Sequence, residues 1–432
     1  MDTENRPGAG QGQDQGQDQS HVQSHEPCPQ CGAAMPVHAD HVVWCRACDW
    51  NVAPELFVFG VGRTASLRRE SAGRQAARVF QELVGADRIG RRSRLTPAHL
   101  ASYAVATVVH GVALGIAAWA VLILVAWWWN PLMWVVGLAM LGLSAVLRPW
   151  FQWLPRHLPR LQRADAPRLF GLIDEVAAVV GTRGVDVVVL DPGFNAYVTR
   201  YGPRRRGLCI GLTLWETLTP SRRVALLGHE LGHYANGDCR HGFFVGNALY
   251  TLALWAHVLN PGRWRKSRMR HYFATFVLRW PYYLVDGTLR LLERLTLHGS
   301  ARREYLADGL SAQAASTEAA VGLAQGLLYG GAAMAGLDAA IEGEVLDWRT
   351  MPWRAAAEAV RRLPEQERER LHRVSQLEWH YEDDTHPPTH LRIELLERRP
   401  ERPGAVHFDR KAVAAVEREL ERAVWRLIRR LR

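Results

Sequence analysis

From Ala101 to Trp129 the chain carries no formal charge, and His110 is the only titratable group there besides Tyr103. A helix needs about 20 apolar residues to cross the hydrocarbon core of a bilayer, and this run exceeds that. Asn130-Pro131 breaks it, and a second uncharged run goes from Leu132 to Leu147. The pattern predicts a transmembrane helical hairpin over 101–147. Trp127, Trp128, Trp129 and Trp134 fall at its turn, where interfacial aromatic residues gather. A pair of core helices is the alternative reading of the same pattern.

Charge gives an orientation. Arg88, Arg91, Arg92 and Arg94 precede the hairpin, and Arg148, Arg156, Arg160 and Arg163 follow it. Cytoplasmic flanks collect Arg and Lys, so the N-terminal segment and everything after 148 are expected on the cytoplasmic side of an integral membrane protein. The net charge is +10, almost all of the positive charge being arginine, with lysine only at Lys266 and Lys411. Such a balance suits nucleic acid, an anionic surface or membrane topology. The apolar runs favour the lipid bilayer as partner, and nucleic acid is not expected.

Ahead of the hairpin lie three segments. Residues 1–27 contain QGQDQGQDQ, a polar tail without the apolar residues to build a core, and are expected to be disordered. Residues 28–50 hold Cys28, Cys31, Cys45 and Cys48 as C-x2-C-x13-C-x2-C. Four thiolates at this spacing suit one closed tetrahedral zinc site. Gly32 permits the tight turn after Cys31, and the metal would supply the folding energy of so short a zinc ribbon. A redox dithiol pair is the competing reading. His38 and His41 are expected to be exposed, Cys209 and Cys239 to be ordinary thiols, and the ribbon's partner is not written in the sequence. Residues 51–100 read as a basic linker or a short amphipathic helix at a membrane surface.

After the hairpin, 148–400 reads as one domain. A helix is expected over Pro167–Val180 with Asp165 as its cap, strands over Val185–Leu190 and Gly207–Leu214, and a helix from Thr219-Pro220-Ser221 to Asn236-Gly237. Two further apolar stretches, 243–259 and 272–292, form a second hairpin or lie as re-entrant or surface-packed helices. A second hairpin would put the basic loop Arg263–Arg270 outside, against the usual charge rule. Residues 401–432 end in an amphipathic, arginine-rich helix.

The helix over 219–237 carries chemistry. His229-Glu230-Leu231-Gly232-His233 places two imidazoles one turn apart on one face. Zinc suits two nitrogens, a carboxylate and an open position for water, and Glu230 can take the proton of that water. Downstream, Glu304 and Asp308 are four apart on one helix face. Glu304 could be the third ligand and Asp308 could hold the N–H of a ligating histidine. From spacing alone, a solvated charged face is an equal reading.

HELGHYANGD (229–238) followed by EYLAD (304–308) resembles the HtpX-type family of membrane-integrated metallopeptidases, which also includes the CAAX prenyl proteases. Phe194-Asn195-Ala196-Tyr197 is similar to the family's substrate-facing edge strand, and His386-Pro387-Pro388-Thr389-His390-Leu391-Arg392 to its late H-P-x-x-x-x-R segment. The resemblance implies that His229, His233 and Glu304 bind a catalytic zinc and that Glu230 is the general base. It implies that Asp308 orients a ligand, that Asn195 and Ala196 meet the substrate backbone, and that His386 and Arg392 stabilise the oxyanion. Asp238 is a further candidate beside the site. The fold expected is mainly α with a small β-sheet, a zincin-like (gluzincin) catalytic domain joined to a transmembrane hairpin and an N-terminal zinc ribbon. The function expected is a zinc endopeptidase in the plasma membrane of a bacterium, acting on polypeptides of or near that membrane. A membrane-anchored zinc-ribbon adaptor with an inactive protease fold is the competing reading, and prenyl-protein processing finds no support in the ribbon or the composition.

Overall fold

The computed structural model describes residues 24–38, 40–54, 63–85, 97–147, 157–201, 205–260, 268–342, 352–377 and 387–431. It is mainly helical with two small sheets. The N-terminal unit begins with strands β1 (Ser24–Pro27) and β2 (Ala34–Val37), paired antiparallel. The ribbon therefore starts a few residues before Cys28. Gly32 adopts a φ of +73° at its first turn, as the sequence leads one to expect.

Helix α1 (Arg63–Val84) lies within the segment read as a linker or short amphipathic helix. Its apolar side, Ala76, Val79, Phe80 and Leu83, is buried against Tyr305, Leu391 and Leu395. Next come α2 (Pro97–Ala126) and α3 (Pro131–Leu147). The 30 residues of α2 are long and apolar enough to cross a membrane, and α3 is a shorter apolar helix. The Ser144 hydroxyl donates to the Ala113 carbonyl between them at 2.7 Å, which satisfies a polar group where water is excluded.

The second sheet has the order β3-β4-β6-β5, from β3 (Arg160–Leu161), β4 (Val187–Asp191), β5 (Ala196–Tyr201) and β6 (Arg205–Gly211). β4 and β6 run parallel, and β5 lies antiparallel to β6 at the edge. Side chains alternate across the pleat: Val188, Leu190, Leu208 and Ile210 join the main core, while Val187, Val189 and Cys209 pack on the other face with Leu158 and Tyr201. Burial on both faces explains the unbroken apolar run of β4. The second expected strand stops short, because Leu212–Thr217 turns into the short helix α5. Gly211 lets this happen: a Cβ there would lie 2.3 Å from the Gly193 carbonyl oxygen and 2.4 Å from that of Asn195.

Helix α4 (Pro167–Val180) has the bounds the sequence suggests, but its cap is different. The Glu419 carboxylate accepts from the Arg168 and Leu169 amides at 2.8–3.0 Å, offsetting the positive end of the helix. Asp165 instead accepts from the Gln162 amide at 2.8 Å. Glu419 belongs to the C-terminal helix α15 (Arg410–Leu431), whose Val416, Leu420, Ala423, Val424, Leu427 and Ile428 complete the main core.

Helix α6 (Pro220–Asn236) ends at Gly237, φ +86°. A short helix α7 (Asp238–His241) and a π-turn over Gly242–Gly246 lead into α8 (Asn247–Leu259). Gly242–Leu259 is the second stretch long and apolar enough to span. The π-turn offers the Phe244 carbonyl to His110 Nε2 at 3.0 Å. Then α9 (Arg268–Ala314) runs 47 residues without a break, about 70 Å at the usual rise. Its first half packs with α2 and α8 through Val285, Leu289 and Leu292, against Ala106, Val109, Ala248, Leu252 and Trp255. Its second half carries Glu304 and Asp308. Helices α10 (Thr317–Leu327), α11 (Gly330–Glu342), α12 (Pro352–Arg361), α13 (Glu365–Leu377) and α14 (Thr389–Glu397) complete the domain.

Candidate metal centres

Helices α6 and α9 cross at close range because small residues line their contact. A Cβ on Gly228 would sit 3.0 Å from Ala314 Cβ and from Ser311 Cα, and one on Gly232 would sit 3.2 Å from Ala307 Cα. The Ser311 hydroxyl donates to the Ala225 carbonyl across the gap at 2.8 Å. This approach brings His229 and His233 on α6 against Glu304 and Asp308 on α9. We expect Gly228→Val to destabilise the fold by about 1–3 kcal/mol through overpacking and to weaken metal binding with it. Thermal unfolding and zinc titration check this; unchanged values in both would show that the helices can part without cost.

His229, His233 and Glu304 offer three ligand atoms within 4.8 Å of one another. His229 Nε2 lies 3.3 Å from His233 Nε2 and 3.4 Å from Glu304 Oε2, and His233 Nε2 lies 3.6 Å from Glu304 Oε1. Zinc bonds of 2.0–2.1 Å in a tetrahedron require ligand atoms about 3.3 Å apart. The two nitrogens and the two oxygens of the Glu304 carboxylate thus lie at spacings that suit a zinc ion. Both Nδ1 atoms face away from this point and have their own partners. His229 Nδ1 is 3.0 Å from Asp308 Oδ1. His233 Nδ1 is 2.9 Å from Asp238 Oδ2, and Arg303 Nε approaches Asp238 Oδ1 at 3.3 Å. A carboxylate on Nδ1–H fixes the tautomer that leaves Nε2 free to ligate. The left-handed turn at Gly237 is what brings Asp238 back under His233.

The site favours positive charge. Burial would lower the pKa of His229, but its hydrogen bonds with Asp308 and Glu304 outweigh this and raise it. Burial likewise works against protonated His233, while the Glu304 charge and the Asp238 hydrogen bond raise it. The same carboxylates would hold a metal cation. Burial pushes Asp308 toward the neutral acid, but the Arg392 guanidinium holds it well below the usual carboxylate range.

Arg392 donates to Asp308 in a bidentate pair, Nη2–Oδ1 2.7 Å and Nε–Oδ2 2.9 Å. Its Nη2 is 3.5 Å from His229 Nδ1, and the residue is 5% exposed. Arg392 thus stands behind His229, on the side away from the metal position. His386 lies outside the described residues. Glu230 is buried next to His229 on α6. Asn195 is exposed, and Ala196 opens β5, the edge strand. The Tyr234 hydroxyl ties α6 to this edge, lying 2.5 Å from the Thr199 carbonyl and 3.0 Å from that of Gly207. Asp238, a further candidate in the sequence, is brought into the site. Arg303 and Ser311 carry no sequence signal, being an ordinary helical arginine and serine.

In the ribbon, Cys28, Cys31, Cys45 and Cys48 form a second group that could hold a metal. Cys28 Sγ is 3.7 Å from Cys48 Sγ, and Cys31 Sγ is 3.5 Å from Cys45 Sγ. Tetrahedral zinc–thiolate bonds of 2.3 Å need sulfurs about 3.8 Å apart, whereas a disulfide needs about 2.0 Å. These spacings suit a zinc ion, and none of the four cysteines is disulfide-bonded. His38 and His41 lie outside this group and are half-buried rather than exposed.

A small sheet with an edge strand, beside a helix bearing H-E-x-x-H and a second helix supplying a glutamate, defines a zincin-like domain of the gluzincin type. The chain belongs to peptidase family M48, whose model matches residues 163–400, more than half of the chain. It is similar to a Protease HtpX homolog of Tropheryma whipplei (strain Twist), 28% identical over 176 residues, covering 40% of this chain and 60% of that one. A Protease HtpX homolog of Moorella thermoacetica is 31% identical over 150 residues, 32% of this chain and 50% of its own. The Protease HtpX of Pseudomonas entomophila is 27% identical over 207 residues, 45% and 69%. The match to the first of these relatives thus spans about 60% of its length. No solved structure matches the chain.

Proposed function

We propose that this protein is a membrane-anchored zinc endopeptidase that hydrolyses peptide bonds of membrane or membrane-associated proteins from the cytoplasmic side. The observation that carries the reading is the near-tetrahedral spacing of His229 Nε2, His233 Nε2 and the Glu304 carboxylate, with Glu230 beside them on the same helix as the histidines. Bound zinc would acidify a water and polarise the scissile carbonyl. The Glu230 carboxylate takes the proton from the attacking water and passes it to the leaving amine. Asp308 and Asp238 keep the Nδ1 protons of the two histidines in place. The substrate adds to the edge strand β5 near Asn195 and Ala196, through backbone hydrogen bonds. Arg392 acts through Asp308, and His386 is retained as a candidate for the oxyanion.

The anchor comprises α2, α3, α8 and the first half of α9. Phe276, Trp280 and Leu284 are 85%, 79% and 73% exposed, one turn apart along α9, a stripe that suits lipid. The charges in this half are moderated by the Asp286–Arg290 pair at 2.7 Å. This favours the second hairpin over surface-packed helices. The basic flanks 88–94 and 148–163 favour a cytoplasmic catalytic domain and ribbon, in a bacterial plasma membrane.

The test is zinc content per chain in detergent, with casein cleavage, for the wild type and for His229→Ala/His233→Ala. A fall from about two metals to about one, with loss of cleavage, is the expected result. An unchanged metal count would remove HELGH as a metal site and leave the adaptor reading in front.

A further inference from the structure

The ribbon does not stand free of the peptidase domain. Trp44, fully buried, packs with Val52, Ala53 and Val374 of α13. Arg370, buried on α13, pairs with Glu367 and donates to the Val52 carbonyl at 2.8 Å. Arg373 donates to the Arg46 carbonyl at 2.8 Å and to Asp49 at 2.6 Å, and its guanidinium lies over the Trp44 ring. Arg46 reaches back to Glu369 at 2.5 Å. On the neighbouring side, α1 buries Val79, Phe80 and Leu83 against Tyr305 of α9 and against Leu391 and Leu395 of α14. Arg399 donates to the Leu83 carbonyl, and Arg398 lies over the Phe80 ring.

Both N-terminal elements therefore press on the pair α13–α14. His390 Nδ1 is 3.0 Å from the Ser375 carbonyl, which ties the two helices together. Two residues after His390, α14 carries Arg392, which grips Asp308, which holds His229. A continuous path of buried polar and packing contacts joins Trp44 to the Nδ1 of a candidate metal ligand. Residues 24–84 lie ahead of the segment that matches the family model, so this layer is added to the matched domain.

We propose that the ribbon and α1 form a cis-acting brace: the ribbon's own metal holds Trp44, Val52 and the Val52 carbonyl against α13, and so sets the position of α14, Arg392 and His229. So small a module has almost no core, and its metal supplies its folding energy. Without that metal the Arg370 guanidinium loses a buried acceptor and Val374 loses its cover. Both changes loosen α13 and, through Ser375, α14. Arg392 is then a positioning residue whose placement depends on a metal bound elsewhere in the chain. Turnover would follow occupancy of the four-cysteine site while the catalytic metal stays bound. The turnover part rests on the peptidase reading; the positional part does not.

The experiment uses the full chain in detergent and three variants. Cys31→Ser/Cys48→Ser removes the ribbon metal. Glu369→Arg sets a third positive charge between Arg46 and Arg373, and Arg46→Glu added to it returns an opposite charge to the place of Arg46. Metal content, kcat and KM on a peptide reporter, and amide exchange along α6 and α14 are read for each. For the cysteine variant we expect one metal retained, kcat lower on the order of tenfold, KM unchanged, and faster exchange in 389–397 with 220–236 as in the wild type. Glu369→Arg should keep both metals and show the same change in kcat and exchange, reversed in part by Arg46→Glu. Unchanged exchange in α14 on loss of the ribbon metal overturns the brace, whether or not the chain cleaves peptides. So does equal loss of protection in α6 and α14, which is general unfolding, and so does failure of the charge reversal to recover either readout. Absence of cleavage in the wild type, with α14 still responding to ribbon metal, would overturn the peptidase reading and leave the brace standing.

Discussion

Glu230→Gln should leave both metals bound and remove cleavage. Glu230 is buried on α6 beside His229, and glutamine fills the same volume, so helix packing is kept. Neither His229 nor His233 changes its Nδ1 partner, Asp308 or Asp238. What disappears is a carboxylate that can accept a proton. A positioned general base contributes roughly 10²–10⁴-fold, so kcat should fall by at least that factor. Glu230 also adds negative charge near His233, since it is among the groups that raise that histidine's pKa; metal affinity should therefore drop slightly rather than collapse. Zinc analysis together with peptide cleavage separates the two effects. Cleavage at the normal rate by the glutamine variant would mean that another group takes the proton.

The parts of this site that were legible in the sequence are those encoded by local spacing. His229 and His233, and Glu304 and Asp308, each lie four apart, and a helix puts such pairs on one face whatever the rest of the chain does. The Cys28–Cys31 and Cys45–Cys48 pairs are legible for the same reason. Asp308 as the partner of a candidate ligand histidine could be inferred because a buried imidazole needs its second nitrogen satisfied. What spacing does not encode is direction in space. The resemblance implies a place near the substrate carbonyl for Arg392, and spacing could not have indicated the bidentate pair that its guanidinium makes with Asp308.

Long-range contacts between ordinary residues were invisible. Nothing marks Arg370 and Arg373 as the dock for a ribbon more than 300 positions earlier, since arginine is common throughout this chain. Glu419 as the cap of α4 is the same case: Asp165 was the nearest acid in sequence, and Glu419 is the nearest in space. The second apolar pair was obscured differently. Arg279, Pro281, Asp286 and Arg290 interrupt 272–292, and only the structure shows a continuous helix with Asp286 and Arg290 paired.

Arg392→Met tests which of two roles the arginine has. Its guanidinium meets Asp308 at 2.7 and 2.9 Å in a buried setting. Removing one member of a buried pair leaves the other charge uncompensated, at a cost of about 3–5 kcal/mol, so a clear fall in Tm is expected. The pH dependence has a defined sign. Burial favours neutral Asp308, and Arg392 together with His229 more than reverses this, so its folded pKa is depressed. A depressed carboxylate stabilises the fold above its unfolded pKa, and that stability is lost as pH falls through the folded value. Without Arg392 the depression is reduced, with only His229 left to oppose burial, and the acid limb of unfolding should move to higher pH. A protonated Asp308 would also offer His229 Nδ1 a donor in place of an acceptor, and catalytic zinc affinity should weaken by about 10–100-fold. Adding Asp308→Asn to the variant should cost less stability than the two single changes summed, because the second removes the charge the first left unpaired. An arginine that only stabilised the oxyanion would behave otherwise. Its loss would lower kcat while Tm, the acid limb and zinc affinity stayed where they were, and that result would return Arg392 to the substrate side of the metal.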